Sequence, residues 1–165
     1  YTDDQGCWLR VLELAYGKRK LQENNRLKPS TGKKNREFDS EIGNGGNPAD
    51  VIKVLTGKAT KNVNVQPKNK KGVQEILEKC SEKITVCAIF GKKNVPPGID
   101  SGHGYAVVGY KKNGDVVTVW NPHGNDFQPA GKNGINTGYK TTKGGFSMPL
   151  GEFLQIFDVV IAEGR

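Results

Sequence analysis

Two runs of β-forming residues flank an Asn-Gly pair in the second half of the chain. The runs span residues 104–110 and 115–120, and the pair is Asn113-Gly114. An Asn-Gly pair between such runs is a strong signal for an antiparallel β-hairpin. A hairpin places the start of its first strand beside the end of its second. The sequence therefore predicts that His103 and Asn121 are neighbours in space.

The turn of this hairpin decides whether those two side chains share a face of the sheet. A two-residue turn would place Asn121 opposite Ala106, on the other face from His103. A three-residue loop with Gly114 in the left-handed conformation would place Asn121 opposite Tyr105, about 7 Å along from His103 on the same face. We expect this second register, with a positive φ at Gly114, because it lets the Asn121 carboxamide reach the imidazole.

A cysteine stands at the start of an apolar helical segment near the beginning of the chain. The residues that recur at helical spacing after Cys7 are Trp8, Val11, Leu12, Ala15 and Tyr16. The N-terminus of a helix carries the positive end of its dipole, which favours the thiolate over the thiol. Cys7 is therefore a candidate nucleophile, with His103 as its base and Asn121 as the group that orients the imidazole.

The remaining cysteines fit structural positions. Cys80 continues the apolar helical stripe of Val73, Ile76 and Leu77, and Cys87 lies inside the continuous apolar run 84–90, which is typical of a buried strand. The chain has three cysteines, widely spaced, and two histidines, so neither a disulfide framework nor tetrahedral zinc spacing is present. We expect no metal and no cofactor.

Helical patterns dominate the first part of the chain and strand patterns the second, which predicts the α+β class. Asn47 is a predicted N-cap, followed by a helix that stops at Thr56-Gly57. The later expected elements are a possible strand at 63–65, a helix at 73–80, a strand at 84–90, the hairpin, a strand at 145–148, a helix that Pro149 starts and a strand at 158–162.

Composition limits the partners of the chain. It has 165 residues, the size of one domain, and a formal net charge of +8. Its lysine runs lack interleaved aromatic residues, so they indicate a solvated surface and no specific nucleic-acid partner. No apolar run reaches the ~18 residues of a membrane span. The chain starts at Tyr1 and not at Met, which suggests that an upstream prosegment is removed by self-cleavage, so that the chain's own prosegment would be one of its polypeptide partners. We expect a soluble protein, secreted or surface-associated after processing, although the sequence leaves the compartment open.

Several segments together resemble the calpain-like branch of the papain superfamily of cysteine peptidases. They occur in the order of that family over nearly the whole chain: Gly6-Cys7-Trp8-Leu9, Gly45-Gly46-Asn47-Pro48-Ala49-Asp50 through Leu55-Thr56-Gly57, Gly102-His103-Gly104-Tyr105, Trp120-Asn121-Pro122-His123-Gly124, and Gly145-Phe146-Ser147-Met148 with Glu152-Phe153-Leu154.

The resemblance implies a papain-like two-lobed fold over residues 1–165, with a mainly helical lobe (1–90) that carries Cys7 and a β-rich lobe (91–165) that carries His103 and Asn121. It implies a cysteine endopeptidase that acts on a polypeptide substrate. It also implies a substrate cleft between the lobes, whose residues would be Trp8, Gly45, Gly46, Gly102 and Gly104.

The chain departs from the family at three places. The position of the family's oxyanion-hole Gln is Tyr1, so the Cys7 backbone N–H would be one donor and Gln5 is a candidate for the other. His123 stands where relatives have a Trp that shields the His–Asn bond, and Trp120 or Phe127 would take over that shielding. The segment 143–146 lacks the carboxylates of a calcium site, so we expect none there.

Two other functions remain open. The same fold could serve an enzyme acting on Gln side chains, either an acyltransferase with a primary amine as acceptor or a deamidase. Because the family's Gln is missing, the chain could instead be a catalytically weak peptide-binding domain. The sequence does not determine substrate preference, oligomeric state or what lies upstream of Tyr1.

Overall fold

A computed structural model describes residues 47–90 and 95–164. In chain order the elements are α1 Pro48–Thr56, β1 Thr60–Asn64, a 3-10 turn Pro67–Asn69, α2 Lys70–Leu77, β2 Thr85–Ile89, β3 His103–Lys111, β4 Val116–Trp120, β5 Gly145–Pro149, α3 Leu150–Ile156 and β6 Val159–Glu163. The six strands form one antiparallel sheet, which together with the helices is compatible with the predicted α+β class.

The sheet draws strands from both halves of the chain. Its order is β1-β6-β2-β3-β4-β5, so the last strand lies between the first two. β2, which ends at Ile89, pairs directly with β3, which begins at His103. The ends of β2 and β4 and the starts of β3 and β5 therefore lie at the same edge of the sheet, which we call the site edge.

Helices contribute to apolar clusters on both faces of the sheet. Alternate strand residues divide between the clusters, as the period of a strand requires. The larger cluster contains buried residues of α2 and α3, with Cys87, Tyr105 and Val119 from the strands. The smaller cluster joins Ile52 of α1 to Ala88, Val159 and Ile161.

Helix α1 begins and ends where its sequence predicts. The Asn47 side chain accepts a hydrogen bond from the Ala49 N–H at 3.0 Å, and Pro48 occupies the first turn, where no N–H is needed. Gly57 ends the helix in the left-handed conformation, with φ +72°, and its N–H donates to the Lys53 carbonyl. Local chemistry alone determines these bounds.

The hairpin has the predicted register at the site edge, but a β-bulge produces it instead of the turn. Four residues, 112–115, separate the last pair, Lys111 and Val116, so the predicted three-residue loop is wrong. The register then shifts between Val107 and Gly109, and beyond the shift Ala106 pairs with Trp120. This pairing brings the next residue, Asn121, level with Tyr105, as expected. The expected positive φ at Gly114 is confirmed at +96°.

Other expected elements are present with small changes. The first strand covers 60–64 instead of 63–65. The strand predicted at 84–90 covers 85–89, and Ile84 and Phe90, which flank it, are exposed. Pro149 ends β5 and stands at the N-cap of α3, so it does not open the helix as predicted. Among residues 47–90 and 95–164, none of the helices could span a bilayer.

Both described cysteines lie against the larger apolar cluster. Cys87 is fully buried in β2, and burial raises the pKa of its thiol well above the ordinary value. Cys80 follows the end of α2 and is partly buried, and burial raises the pKa of its thiol as well. A raised thiol pKa means little thiolate at neutral pH, which agrees with the structural roles that the sequence predicts for these two residues.

Candidate active site

His103 and Asn121 meet at the site edge of the sheet. His103 is the first residue of β3, and Asn121 directly follows β4. The imidazole Nε2 lies 2.9 Å from the Asn121 side-chain oxygen, which is hydrogen-bond distance. The hairpin and its bulge thus bring together the two residues that the sequence paired.

The partners of Asn121 determine the direction of this hydrogen bond. The His123 backbone N–H, which can only donate, lies 3.0 Å from Asn121 Oδ1, so that atom is the carbonyl oxygen. On the other side, Nδ2 donates to the Asn125 side-chain oxygen at 3.0 Å and lies 3.5 Å from a carboxylate oxygen of Asp100. Because Oδ1 can only accept, His103 must donate from Nε2. That leaves Nδ1 as the nitrogen that can take or give a proton.

The hydrogen bond is held in a largely dry environment. Asn121 is 1% exposed, although its side chain is fully polar. A buried polar group without partners is costly, so the hydrogen bonds of this carboxamide fix it strongly in place. His103 itself is partly buried and partly exposed to solvent.

Two rings flank the imidazole of His103. Tyr105, fully buried two residues along the strand, contacts it edge-on with a centroid distance of 5.0 Å. The Tyr105 hydroxyl accepts a hydrogen bond from the Asp100 N–H at 2.7 Å, and burial is the main reason that its pKa rises to about 12. The exposed ring of His123 lies on another side, with a centroid distance of 4.4 Å and a tilt of 35°.

A tight turn after β4 holds Asn121. Its backbone N–H donates to the Gly144 carbonyl at 2.8 Å, and the Gly144 N–H donates to the Asn125 carbonyl at 2.7 Å. Gly144 has a φ of +83°, and a Cβ on it would lie 2.3 Å from the Asn121 carbonyl oxygen. Only glycine allows the two backbones to come this close. Gly144, directly before β5, therefore fixes the position of Asn121, directly after β4.

Of the two predicted shield residues, Trp120 lies on the other face of the sheet, and the ring that contacts His103 near Asn121 is that of His123. Trp120 pairs with Ala106 and therefore points to the opposite face of the sheet from His103, with its indole N–H donating to the Lys143 carbonyl. Phe127 lies close to Gly98. The expectation that either residue replaces the family's Trp beside the His–Asn bond is therefore wrong for Trp120, and the structure gives no contact that supports it for Phe127.

The predicted cleft residues are only partly described. Gly102 precedes His103 with a φ of +67°, and a Cβ on it would meet nothing within 4 Å. Gly104 lies on the opposite face, where a Cβ would be 3.9 Å from Pro48 at the start of α1. The remaining predicted site residues, Cys7, Gln5, Trp8, Gly45 and Gly46, lie outside the described residues.

Within residues 47–90 and 95–164, no cluster of three or more His, Cys, Asp or Glu side chains could hold a metal ion. In the segment 143–146, the Lys143 N–H donates to an Asp126 carboxylate oxygen at 2.7 Å. That carboxylate is therefore used in holding the loop.

Sequence reasoning missed Asp100, Asn125 and Gly144, although each helps to hold Asn121. Asn125 had a weak signal, since Asn-Pro-His-Gly-Asn is rich in turn-forming residues. Asp100 and Gly144 had none, because their contacts join segments about twenty residues apart in the chain.

The described site can orient an imidazole and leave its Nδ1 available for proton transfer, which is what a general acid or base requires. Comparison with known proteins adds nothing to this, since no family model and no curated protein matches the chain. What the chain does is therefore inferred from the residues of the site.

Proposed function

We propose that the chain is a cysteine endopeptidase with a papain-like two-lobed fold, of the calpain-like branch, in which Cys7, His103 and Asn121 form the catalytic triad. The observation that carries the proposal is the 2.9 Å hydrogen bond from His103 Nε2 to a buried and fully oriented Asn121 carboxamide. An imidazole held in this way has one nitrogen committed to its orienting partner and the other available to a nucleophile.

Each residue would have a distinct role. The Cys7 thiolate attacks the peptide carbonyl carbon, and His103, as imidazolium, gives its Nδ1 proton to the leaving amine while the C–N bond breaks. A thioester results. His103, now neutral, takes a proton from a water molecule whose oxygen bonds to the same carbon, and the C–S bond breaks to return the thiolate. Asn121 holds the ring orientation through both steps.

The segment that follows Gly45-Gly46 begins close to the strand that carries His103. Pro48 opens α1 beside Gly104, one residue along this strand from His103 and on the face opposite the His103 side chain. We assign the Cys7 backbone N–H as one oxyanion donor and Gln5 as the candidate for the other, although Gln5 does not occupy the position of the family's Gln, which is Tyr1 in this chain.

Alkylation by iodoacetamide, measured per cysteine by mass spectrometry between about pH 5 and 8, tests the proposal. A free thiol ionises near pH ~8.5, so its rate falls about tenfold per pH unit below that. If His103 pairs with Cys7, the Cys7 rate is nearly independent of pH in wild type and follows the free-thiol slope in His103→Ala. Cys80 and Cys87 serve as internal controls, because burial raises the pKa of both thiols.

A free-thiol slope at Cys7 in wild type would refute the pair and favour the peptide-binding alternative. If the pair exists, peptide hydrolysis follows as the second assay, with the Cys7→Ala protein as its blank. Turnover that requires an added primary amine and releases no new peptide ends would identify an acyltransferase instead.

A further inference from the structure

The Asn121 carboxamide has to present its oxygen, and not its nitrogen, to His103. A residue outside the triad holds its amino group. Rotation by 180° would exchange Oδ1 and Nδ2 with little change of shape. Nδ2 would then face His103 Nε2 and could only donate to it. In the neutral ring the proton would move to Nδ1, and the imidazolium would have no acceptor for its Nε2 proton.

Contacts on both sides of the carboxamide prevent this rotation. On the oxygen side, the His123 backbone N–H lies 3.0 Å from Oδ1. On the nitrogen side, the Asn125 side-chain oxygen accepts from Nδ2 at 3.0 Å, whereas the Asp100 carboxylate oxygen is farther away at 3.5 Å. Asn125 is thus the principal acceptor for the amino group.

Asn125 is itself fixed in place. Its backbone carbonyl accepts from the Gly144 N–H at 2.7 Å, and the Gly144 carbonyl accepts from the Asn121 N–H at 2.8 Å. Both asparagines are therefore anchored to one glycine of the neighbouring strand connection. Because these hydrogen bonds fix the distance between the two backbones, they also hold the two side chains together.

We propose that Asn125 is a positioning residue, which orients the Asn121 carboxamide and thereby keeps neutral His103 in the tautomer with hydrogen on Nε2. The catalytic consequence, an unprotonated Nδ1 ready for Cys7, rests on the proposed function. The tautomer itself does not rest on the proposed function, because the residues that determine it all lie in the part of the chain that the structure describes.

The tautomer can be read from the ¹⁵N chemical shifts of the His103 ring at a pH where the imidazole is neutral. The spectra are recorded on Cys7→Ala protein, so that the thiol plays no part. We expect wild-type His103 to carry hydrogen on Nε2. Asn125→Ala removes one hydrogen bond, so we expect the ratio of the two tautomers to shift by about two- to tenfold toward Nδ1–H.

Two further variants separate positioning from general loosening. Asn125→Asp keeps the acceptor and the shape, so we expect it to retain the wild-type tautomer even if Asn125→Ala folds poorly. Asn133→Ala is the matched control, since Asn133 accepts a hydrogen bond from the Lys140 N–H at 3.1 Å in the same connection without touching Asn121. We expect no change of tautomer in this variant.

An unchanged tautomer ratio in Asn125→Ala, or an equal shift in Asn133→Ala, would overturn the proposal, as would hydrogen on Nδ1 in wild type. If the shift occurs as expected but the protein with Cys7 hydrolyses no peptide, the proposed function fails and the positioning role stands. If hydrolysis occurs, we expect Asn125→Ala to lower kcat with little change in KM.

Discussion

Replacing Gly144 by alanine should damage both the stability of the fold and the His103–Asn121 pair. The new Cβ would lie 2.3 Å from the Asn121 carbonyl oxygen and 3.2 Å from the Gly124 Cα, both of which are backbone atoms that cannot rotate away. The turn would have to open, and the hydrogen bond from the Asn121 N–H to the Gly144 carbonyl, now 2.8 Å, would lengthen or break.

Gly124 provides a matched control for this substitution. Its φ of +67° is also left-handed, but a Cβ on it would meet nothing within 4 Å. Gly124→Ala should therefore lower the free energy of unfolding only by the cost of holding an L-residue in this backbone region, which is about 1–2 kcal/mol. Gly144→Ala should lose that amount and, in addition, about 1–3 kcal/mol for the collision, the usual cost of forcing atoms into a filled space.

Urea denaturation of the two variants measures the difference. With a slope of about 2 kcal/mol per molar urea, the midpoint of Gly144→Ala should lie roughly 0.5–1.5 M below that of Gly124→Ala. The ¹⁵N shifts of the His103 ring should also change in Gly144→Ala. Equal midpoints in the two variants would show that the close approach is relieved without cost, and the argument for Gly144 as the anchor of Asn121 would fail.

Two further predictions concern charge and ring contact. The Asp115 carboxylate accepts several hydrogen bonds, of which the one from Lys70 has the largest effect. They lower the pKa of this carboxyl to about 2, below the ordinary value near ~4. The stabilisation of the fold by the ionised Asp115 carboxylate is therefore present above about pH 4 and is lost as the pH falls to about 2. Asp115→Asn should melt lower than wild type at pH 6, with the gap closing near pH 2, and a gap of constant size would contradict this. His123→Ala removes the ring 4.4 Å from that of His103. If this contact, worth about 0.5–1.5 kcal/mol, holds the imidazole in place, Cys7 alkylation at pH 6 should slow about two- to tenfold, with an unchanged rate as the refuting result.

Local features of the fold could be predicted because their causes lie within a few residues. Asn47 and Gly57 bound α1 through contacts inside the helix and its caps. The burial of Cys87 followed from a continuous apolar run. The positive φ at Gly114 was also expected, but from a three-residue loop that is not present. In each of these cases the deciding interaction is close in sequence.

The register of the hairpin was predicted correctly at the site edge, but from the wrong cause. The sequence suggested a three-residue loop, whereas the shift arises at the bulge next to Val108. A bulge depends on how both strands pack against their neighbours, and no local pattern marks Val108 as its position. The agreement at Asn121 therefore concerns only which residues lie opposite each other, and it gives no support to the predicted three-residue loop.

By itself, the sequence determined which residues are chemically suited to a site and which segments carry them. His103 and Asn121 could be paired from the hairpin, and the expected contact between them is present at 2.9 Å. Only the tertiary structure decided how that contact is held. Asp100, Asn125 and Gly144 reach Asn121 through a folded turn and a neighbouring strand connection. The reason is physical: a hydrogen bond between distant segments forms only after the packing of the sheet has brought their backbones within about 3 Å of each other.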